Sequence, residues 1–273
     1  MLETITPLIL VYNEAPNIDR TLQQLTWAKR IVVVDSNHST DETLELLSLY
    51  PQVEVFQRSF DVHCKQWNYG LDQVRTDWTL SLDADYVLTP ELIQELSAIS
   101  KDSPYNGYFA CFKYCVFGKP LRGTILPPRQ ILSRTGKAKY IDDGHTQLLR
   151  VEGSSGHLQG YIHHDDRKSL KRWLWAQDRY MVLEVEKLQA TPDSELSWGD
   201  RLRKQKVLAP FVILLYCLIL KGGILDGWHG WYYAFQRMVA ELLLSLRLIE
   251  ATLAESDATP TAQNVSQANR ITD

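Results

Sequence analysis

Several large protein classes are closed to this chain by what it lacks. It has only 4 cysteines in 273 residues (Cys64, Cys111, Cys115 and Cys217) and no CxxC pair. That leaves neither a zinc-ligand spacing nor the cysteine density of a disulfide-stapled secreted domain, so the thiols read as buried or free in a reducing compartment. Positive charge is not in excess either: 29 Lys and Arg stand against 33 Asp and Glu, a net charge of −4. Affinity for a nucleic-acid backbone comes mainly from cations that displace its counterions, so no nucleic-acid partner is expected. No GxGxxG turn follows the first apolar run, where Asn13-Glu14-Ala15-Pro16 stands instead, and no GxxxxGK[ST] loop occurs anywhere. Ordinary dehydrogenase and P-loop readings lose their main support. No basic leader precedes the apolar stretch that ends by Tyr12. That is too early for a secretion signal, and the chain is expected to start in the cytosol. The longest apolar run, Val207 to Leu220, is shorter than the roughly 20 residues that cross a bilayer, so an interfacial or core helix is expected there.

What is present is enough apolar surface for a sizeable core, with 45% of positions hydrophobic, and an ordered alternation of patterns. Short β-branched runs at Thr6–Tyr12, Arg30–Asp35, Val53–Arg58 and Trp78–Asp83 alternate with stretches of helical spacing at Pro16–Leu25, Thr40–Leu49 and Asp61–Val74. This is the pattern of βαβ units around a mostly parallel sheet, a Rossmann-like half. A helix at Pro90–Ser100 is followed by a long strand candidate at Gly107–Phe117 and shorter ones near Arg129–Ser133 and Lys137–Ile141, suggesting a mixed sheet. Ser169–Ala190 reads as a helix with Leu170, Trp173, Leu174, Tyr180 and Met181 toward the core.

Polar residues recur at the carboxyl ends of these runs: Asn13 and Glu14, Asp35, Arg58, and Asp83 with Asp85. In an open parallel sheet such ends share one crevice, where ligands bind. Asp83 and Asp85 lie two apart on an extended chain and so point to the same side, where they can share one divalent cation. Hard carboxylate oxygens suit Mg²⁺ or Mn²⁺, which usually complete their shells with phosphate oxygens and water.

The blocks Leu10-Val-Tyr-Asn-Glu14, Ile31-Val-Val-Val-Asp35-Ser with Ser39-Thr-Asp-Glu-Thr43, Lys65-Gln-Trp-Asn68 and Leu80-Ser-Leu-Asp83-Ala-Asp85 resemble those of family 2 glycosyltransferases with the GT-A fold. Within that family the chain looks most like the lipopolysaccharide-core enzymes (WaaE/KdtX-like), through Gly223-Ile-Leu-Asp-Gly-Trp228. The resemblance implies that Glu14 and Asp35 hold a nucleotide-sugar donor, with Asn13 shaping the turn and Lys65 and Asn68 near the base or diphosphate. It implies that Asp83 contacts the ribose or metal and Asp85 coordinates the metal. It also implies a late histidine in the metal shell, His164 in Tyr161-Ile-His-His-Asp-Asp166, with His163 as the adjacent candidate. Relatives tend to carry His-Glu in the acceptor loop, whereas this chain has Asp142-Asp-Gly-His145-Thr146. The base therefore stays open between Asp143 and Asp142, with His145 orienting the acceptor.

The expectation is an α/β protein of the GT-A type, with residues 1–190 as the catalytic domain, a helical and membrane-associating region at 195–254, and a polar tail at 255–273. Arg201, Arg203, Lys204 and Lys206 before the apolar run, with Trp228, Trp231, Tyr232 and Tyr233 after it, fit docking on the inner face of the cell membrane. The expected activity is metal-dependent, inverting transfer from a nucleotide sugar to a glycan or lipid-linked glycan, in lipopolysaccharide or other cell-envelope polysaccharide synthesis. A polyprenyl-phosphate glycosyltransferase and a catalytically silent nucleotide-sugar-binding scaffold are the alternatives.

Overall fold

The first four β-branched runs form strands β1 (Ile5–Val11), β2 (Ile31–Asp35), β3 (Val53–Gln57) and β4 (Trp78–Asp83). The structure is a computed structural model and describes residues 1–143 and 146–258. Helices α1 (Ile18–Gln23), α2 (Thr43–Ser48) and α3 (His63–Gln73) connect these strands, which pair in parallel in the order β3-β2-β1-β4. Every residue of β2 is buried, as expected of a strand covered on both faces, which is why it reads as an unbroken apolar run. Helix α3 lies close on the sheet because Gly70 faces Leu8, and a Cβ at Gly70 would come within 2.5 Å of the Leu8 side chain.

The second half completes the sheet with β5 (Tyr86–Leu88), β6 (Gly107–Val116), β7 (Lys119–Pro120), β8 (Arg129–Arg134) and β11 (Ser155–His164). Among the described residues the main path is β3-β2-β1-β4-β8-β6-β11-β5, with β7 paired to β6. Strand β8 is antiparallel to both β4 and β6, while β11 runs parallel to β6. The remaining pair, β9 (Ala138–Asp143) and β10 (Thr146–Val151), is a separate antiparallel hairpin. It rests on α3 through Tyr140 and Leu149, which cluster with Trp67. Helix α4 (Pro90–Ala98) starts on a Thr89 cap that accepts from the Leu92 amide, with proline in the first turn, an arrangement that suits both residues.

Helices α5 (Leu170–Ala190), α6 (Trp198–Lys204), α7 (Ala209–Leu215) and α8 (Trp228–Ala258) follow. Helix α7 continues as a π turn over Tyr216–Leu220, and a 3-10 turn at Gly223–Asp226 leads into α8. Met181, Val185 and Leu188 of α5 pack against Leu244 and Leu248 of α8, so the helices after residue 195 share a core with the segment before it. Leu170 and Leu174, expected to face the core, are 50% and 41% exposed. The apolar cluster that α5 shares with α8 lies in its second half, while Asp178 of the first half meets α8 through an ion pair with Arg247 at 2.7 Å. Among the described residues, no helix is long and apolar enough to cross a membrane.

Candidate active site

Strand order reverses between β1 and β4, and the crevice at their carboxyl ends is where an open α/β sheet binds its ligands. The turn after β1 brings Asn13 and Glu14 to it, and the turn after β4 brings Asp83 and Asp85. Asn13 takes a left-handed φ of 55°, which asparagine tolerates better than most residues. Its Oδ1 accepts the Thr40 amide at 2.7 Å, tying the turn after β1 to the loop after β2. Asp35, at the end of β2, is buried and accepts the Ser39 hydroxyl at 2.6 Å.

The centre of the site is a contact between strands distant in sequence. His164, the last residue of β11, places Nε2 3.0 Å from Oδ2 of Asp85. Burial alone would raise the Asp85 carboxyl, but the charge and hydrogen bond of His164, with Lys168, outweigh it and hold that group below its ordinary value. Burial likewise works against charge on His164, and Asp85 more than reverses this, leaving the imidazole above its ordinary value. Tyr86 and Tyr114 pack edge-on against the ring at 5.3 and 5.0 Å. Its Nδ1 is buried without a hydrogen-bond partner. Strand alternation sends His163 to the opposite face, where burial and Lys113 lower it. Of the two candidate histidines, His164 is the one in contact with Asp85.

Asp83 is raised above its ordinary value by burial and by the charge of Asp85, against the pull of Arg129. It lines a cavity of about 460 Å³ walled by Trp67, Tyr140, Arg129 and Leu149 beneath the β9–β10 hairpin. Asp142 lies exposed near the end of β9, and His63 of α3 feels the charges of both Asp83 and Asp142. The backbone of Asp143 pairs with Thr146, while His145 lies outside the described residues, as does the side chain of Asp143.

Glu14, Asn68 and Lys65 have internal occupations. Glu14 accepts from Asn17 Nδ2 at 2.9 Å and forms an ion pair with Lys168. Burial raises its carboxyl to about 7, with Lys168 opposing and Asp85 reinforcing the shift. Asn68 exchanges both its amide groups with the backbone of Tyr140, at 2.9 Å each, and so clamps the hairpin to α3. Lys65 is exposed on α3 and pairs with Asp61 at 3.4 Å.

The sequence reading passed over the segment that follows His164. Asp165 binds Arg167 at 2.7 Å and Arg20 at 3.5 Å, while Asp166 accepts Asn17 Nδ2 at 3.0 Å. With Lys168 on Glu14, this segment seals the end of β11 onto the first βα turn. The signal was available in Asp165-Asp166-Arg167-Lys168, four charges directly after the histidine, but charge runs usually mark solvated surface. Arg172 of α5 lies 5.3 Å from the ring of Tyr12 and 4.1 Å from that of Trp175.

A model of the family described as glycosyl transferase family 2 matches residues 8–152, more than half of the chain, from within β1 to the end of β10. The chain belongs to glycosyltransferase family 2. It is therefore a glycosyltransferase, and the Rossmann-like half read from its sequence is that family's domain. Solved family-like structures include the mannosyltransferase PcManGT from Pyrobaculum calidifontis in complex with GDP-Man and Mn²⁺, at 12% identity over 93% of this chain and 87% of that one, with a TM-score of 0.49. S. aureus TarS 1-349 in complex with UDP-GlcNAc is similar at 15% identity over 87% and 81%, with a TM-score of 0.47. Mannosyl-3-phosphoglycerate synthase from Rubrobacter xylanophilus is similar at 13% identity over 71% and 80%, with a TM-score of 0.45.

Proposed function

We propose that this family 2 enzyme transfers a sugar from a nucleotide-sugar donor, with inversion, to a hydroxyl of a glycan or lipid-linked glycan, and that Asp85 and His164 hold a divalent cation. The observation that carries the reading is the 3.0 Å contact between those two side chains at the switch point of a family 2 sheet. The donor set fits Mg²⁺ or Mn²⁺ in kind, with carboxylate oxygen from Asp85 and Asp83 and imidazole nitrogen from His164. Among the described residues no three such groups already surround one point. That suits ions which usually take one or two protein carboxylates and fill the rest of the shell from phosphate and water. A bound cation would supply charge neutralisation to the departing nucleoside diphosphate.

The chain's own residues do the rest. Asp35 and the Asn13 turn shape the nucleotide side of the crevice. Lys168, held by Glu14 beside Asp85, adds positive potential where diphosphate charge accumulates. Asp83 and Arg129 open onto the cavity under the hairpin, which is of a size to admit sugar. Asp142 and Asp143 at the hairpin end are the candidates for the base that takes the acceptor proton, opposite the leaving group as inversion requires. The block Gly223–Trp228 supports an acceptor in the cell envelope, of the lipopolysaccharide-core kind.

Calorimetry with a panel of nucleotide sugars, with and without Mn²⁺, tests the reading. One or more donors are expected to bind in a metal-dependent way, with binding weakened in both Asp85→Ala and His164→Ala. Donor binding that ignores the metal and both substitutions would refute the assignment.

A further inference from the structure

The polar seal around the site ends at Tyr114, whose ring touches His164 on one side and Tyr233 of α8 at 4.8 Å on the other. Beyond Tyr233 the molecule changes character. Cys217 and Leu218 of the π turn and Tyr233 and Ala234 of α8 pack on Val116 of β6 and on Leu121 just after β7, and the outer side of α7 is exposed. Phe211, Leu215 and Ile219 recur every fourth residue along α7 and its π turn, so they share one face. All three are exposed, and the tip beyond them carries Leu220, Leu225 and Trp228, which are 75%, 69% and 84% exposed. Phe117 extends the patch from the β6–β7 turn, 71% exposed and against Tyr232. An apolar surface of this continuity marks an interaction site rather than scattered surface hydrophobes.

The tip is held rigidly. A Cβ at Gly230 would fall 1.8 Å from the Gly223 carbonyl oxygen, so the turn and α8 cross at contact distance. Buried Asp226 accepts the Arg122 amide at 3.0 Å and pins the turn to the loop after β7. These side chains are presented by a fixed support, and their exposure belongs to the fold.

Charge identifies what covers them. Between residues 207 and 240 the sequence has a single carboxylate, Asp226, and that one is buried. Lys119 Nζ donates to the Asp226 backbone carbonyl and Arg122 pairs with the carboxylate, at 3.4 Å each, Lys221 stands beside Gly123, and so cations rim the patch. A twofold contact between copies through this patch would bring one positive rim towards the other. An anionic lipid surface meets both features at once, with apolar side chains entering the acyl boundary and cations at the headgroups.

We propose that this tip, from Phe211 to Trp228 with Phe117, inserts into the interface of an anionic bilayer and holds the enzyme on the cytoplasmic leaflet. The apolar run and Trp228 are those the sequence pointed to, but cations and further aromatic residues expected beside them are engaged within the protein. Arg203 of α6 pairs with Glu241, Asp200 and Glu184 inside the helical region, and Lys204 pairs with Asp193. Tyr233 is buried and Tyr232 lies on Phe117. The rings of Tyr114 and Tyr233 connect the Asp85–His164 pair to the helix that carries the tip.

The test is co-sedimentation of the full chain with phosphatidylcholine vesicles, with and without phosphatidylglycerol. Binding is expected only with the anionic lipid and weakens with salt. Leu220→Asp and Leu225→Asp each lower partitioning by about tenfold or more, and Lys221→Glu by about fivefold. Quenching of tryptophan fluorescence by brominated lipid is expected in the wild type and reduced in Trp228→Phe, a change too mild to disturb folding. Failure of the wild type to bind anionic vesicles overturns the proposal. So does equal binding by the Asp variants, or a concentration-dependent dimer that Leu220→Asp dissociates.

Discussion

The crevice at the end of β4 and the tip beyond α7 lie on either side of Tyr114 and Tyr233, and they are built on opposite terms. In the crevice nearly every charged group is partly buried and committed to a partner: Asp85 to His164, Glu14 to Lys168, Asp165 to Arg20 and Arg167. At the tip, large apolar side chains are mostly exposed to solvent. Charges gathered away from water cost stability unless their geometry is fixed. Apolar area left in water is favourable surface not yet used. A single deletion in the first arrangement is expected to cost activity or stability, whereas the second is expected to be indifferent until a partner arrives.

The largest effect is expected at Asp85. Asp85→Ala should reduce transfer by about a thousandfold or more, since it removes a group placed to hold the neutralising cation. Stability should change by less than about 1 kcal/mol, because losing the His164 contact is offset by relief of Asp83 and Glu14 from a neighbouring negative charge. Kinetics and urea unfolding on the same variant separate the two. Next in size is Lys168→Met, which leaves Glu14 partly buried without its counter-charge and should cost about 2–3 kcal/mol at pH 8. Adding Glu14→Gln should recover part of that loss, a coupling a double-mutant cycle measures directly.

Glu14 also carries a pH signature. Its carboxyl is raised from 4.5 to about 7 by burial, so between those values the native state holds a proton that the unfolded chain has released. Stability from this group is therefore full below about 4.5 and is lost as pH rises towards about 7. Glu14→Gln should flatten that part of the stability profile. A smaller loss, about 1–2 kcal/mol, is expected for Asn68→Ala, which leaves the Tyr140 backbone without two hydrogen bonds. Hydrogen exchange should localise the loosening to the β9–β10 hairpin. The smallest effect belongs to the tip, where Leu225→Asp should move unfolding free energy by no more than about 0.5 kcal/mol. A large loss there would mean that the tip packs against the protein, and the contrast between the two regions would collapse.

The parallel half was legible because buried parallel strands leave continuous β-branched runs. Trp78–Asp83 was read with the bounds it has, and the other three runs lie within one residue of β1, β2 and β3. Strand β11 was not read as a strand, since Gly156 and Gly160 interrupt it and its outward positions are His157, Gln159 and Tyr161. That omission hid the reason His164 meets Asp85, which the resemblance supplied and the strand now explains. Glu14 and Asn68 show a different limit. Their residue types and positions suggested ligand contacts, yet their side chains are tied to Lys168 and to the Tyr140 backbone, and pairings across such distances leave no local pattern. The helical region was legible in composition but not in direction, because whether Arg203 faces lipid or Glu241 depends on how α6 packs on α8.

The central claim is that Asp85 and His164 hold a divalent cation beside the donor diphosphate. Electron spin-echo measurements on Mn²⁺ with bound nucleoside diphosphate test it most directly, because an imidazole nitrogen in the metal shell modulates the echo. The account predicts that modulation in the wild type, its loss in His164→Ala, and weak or absent Mn²⁺ binding in Asp85→Ala. Nitrogen modulation that survives His164→Ala, or Mn²⁺ affinity unchanged in Asp85→Ala, would contradict it.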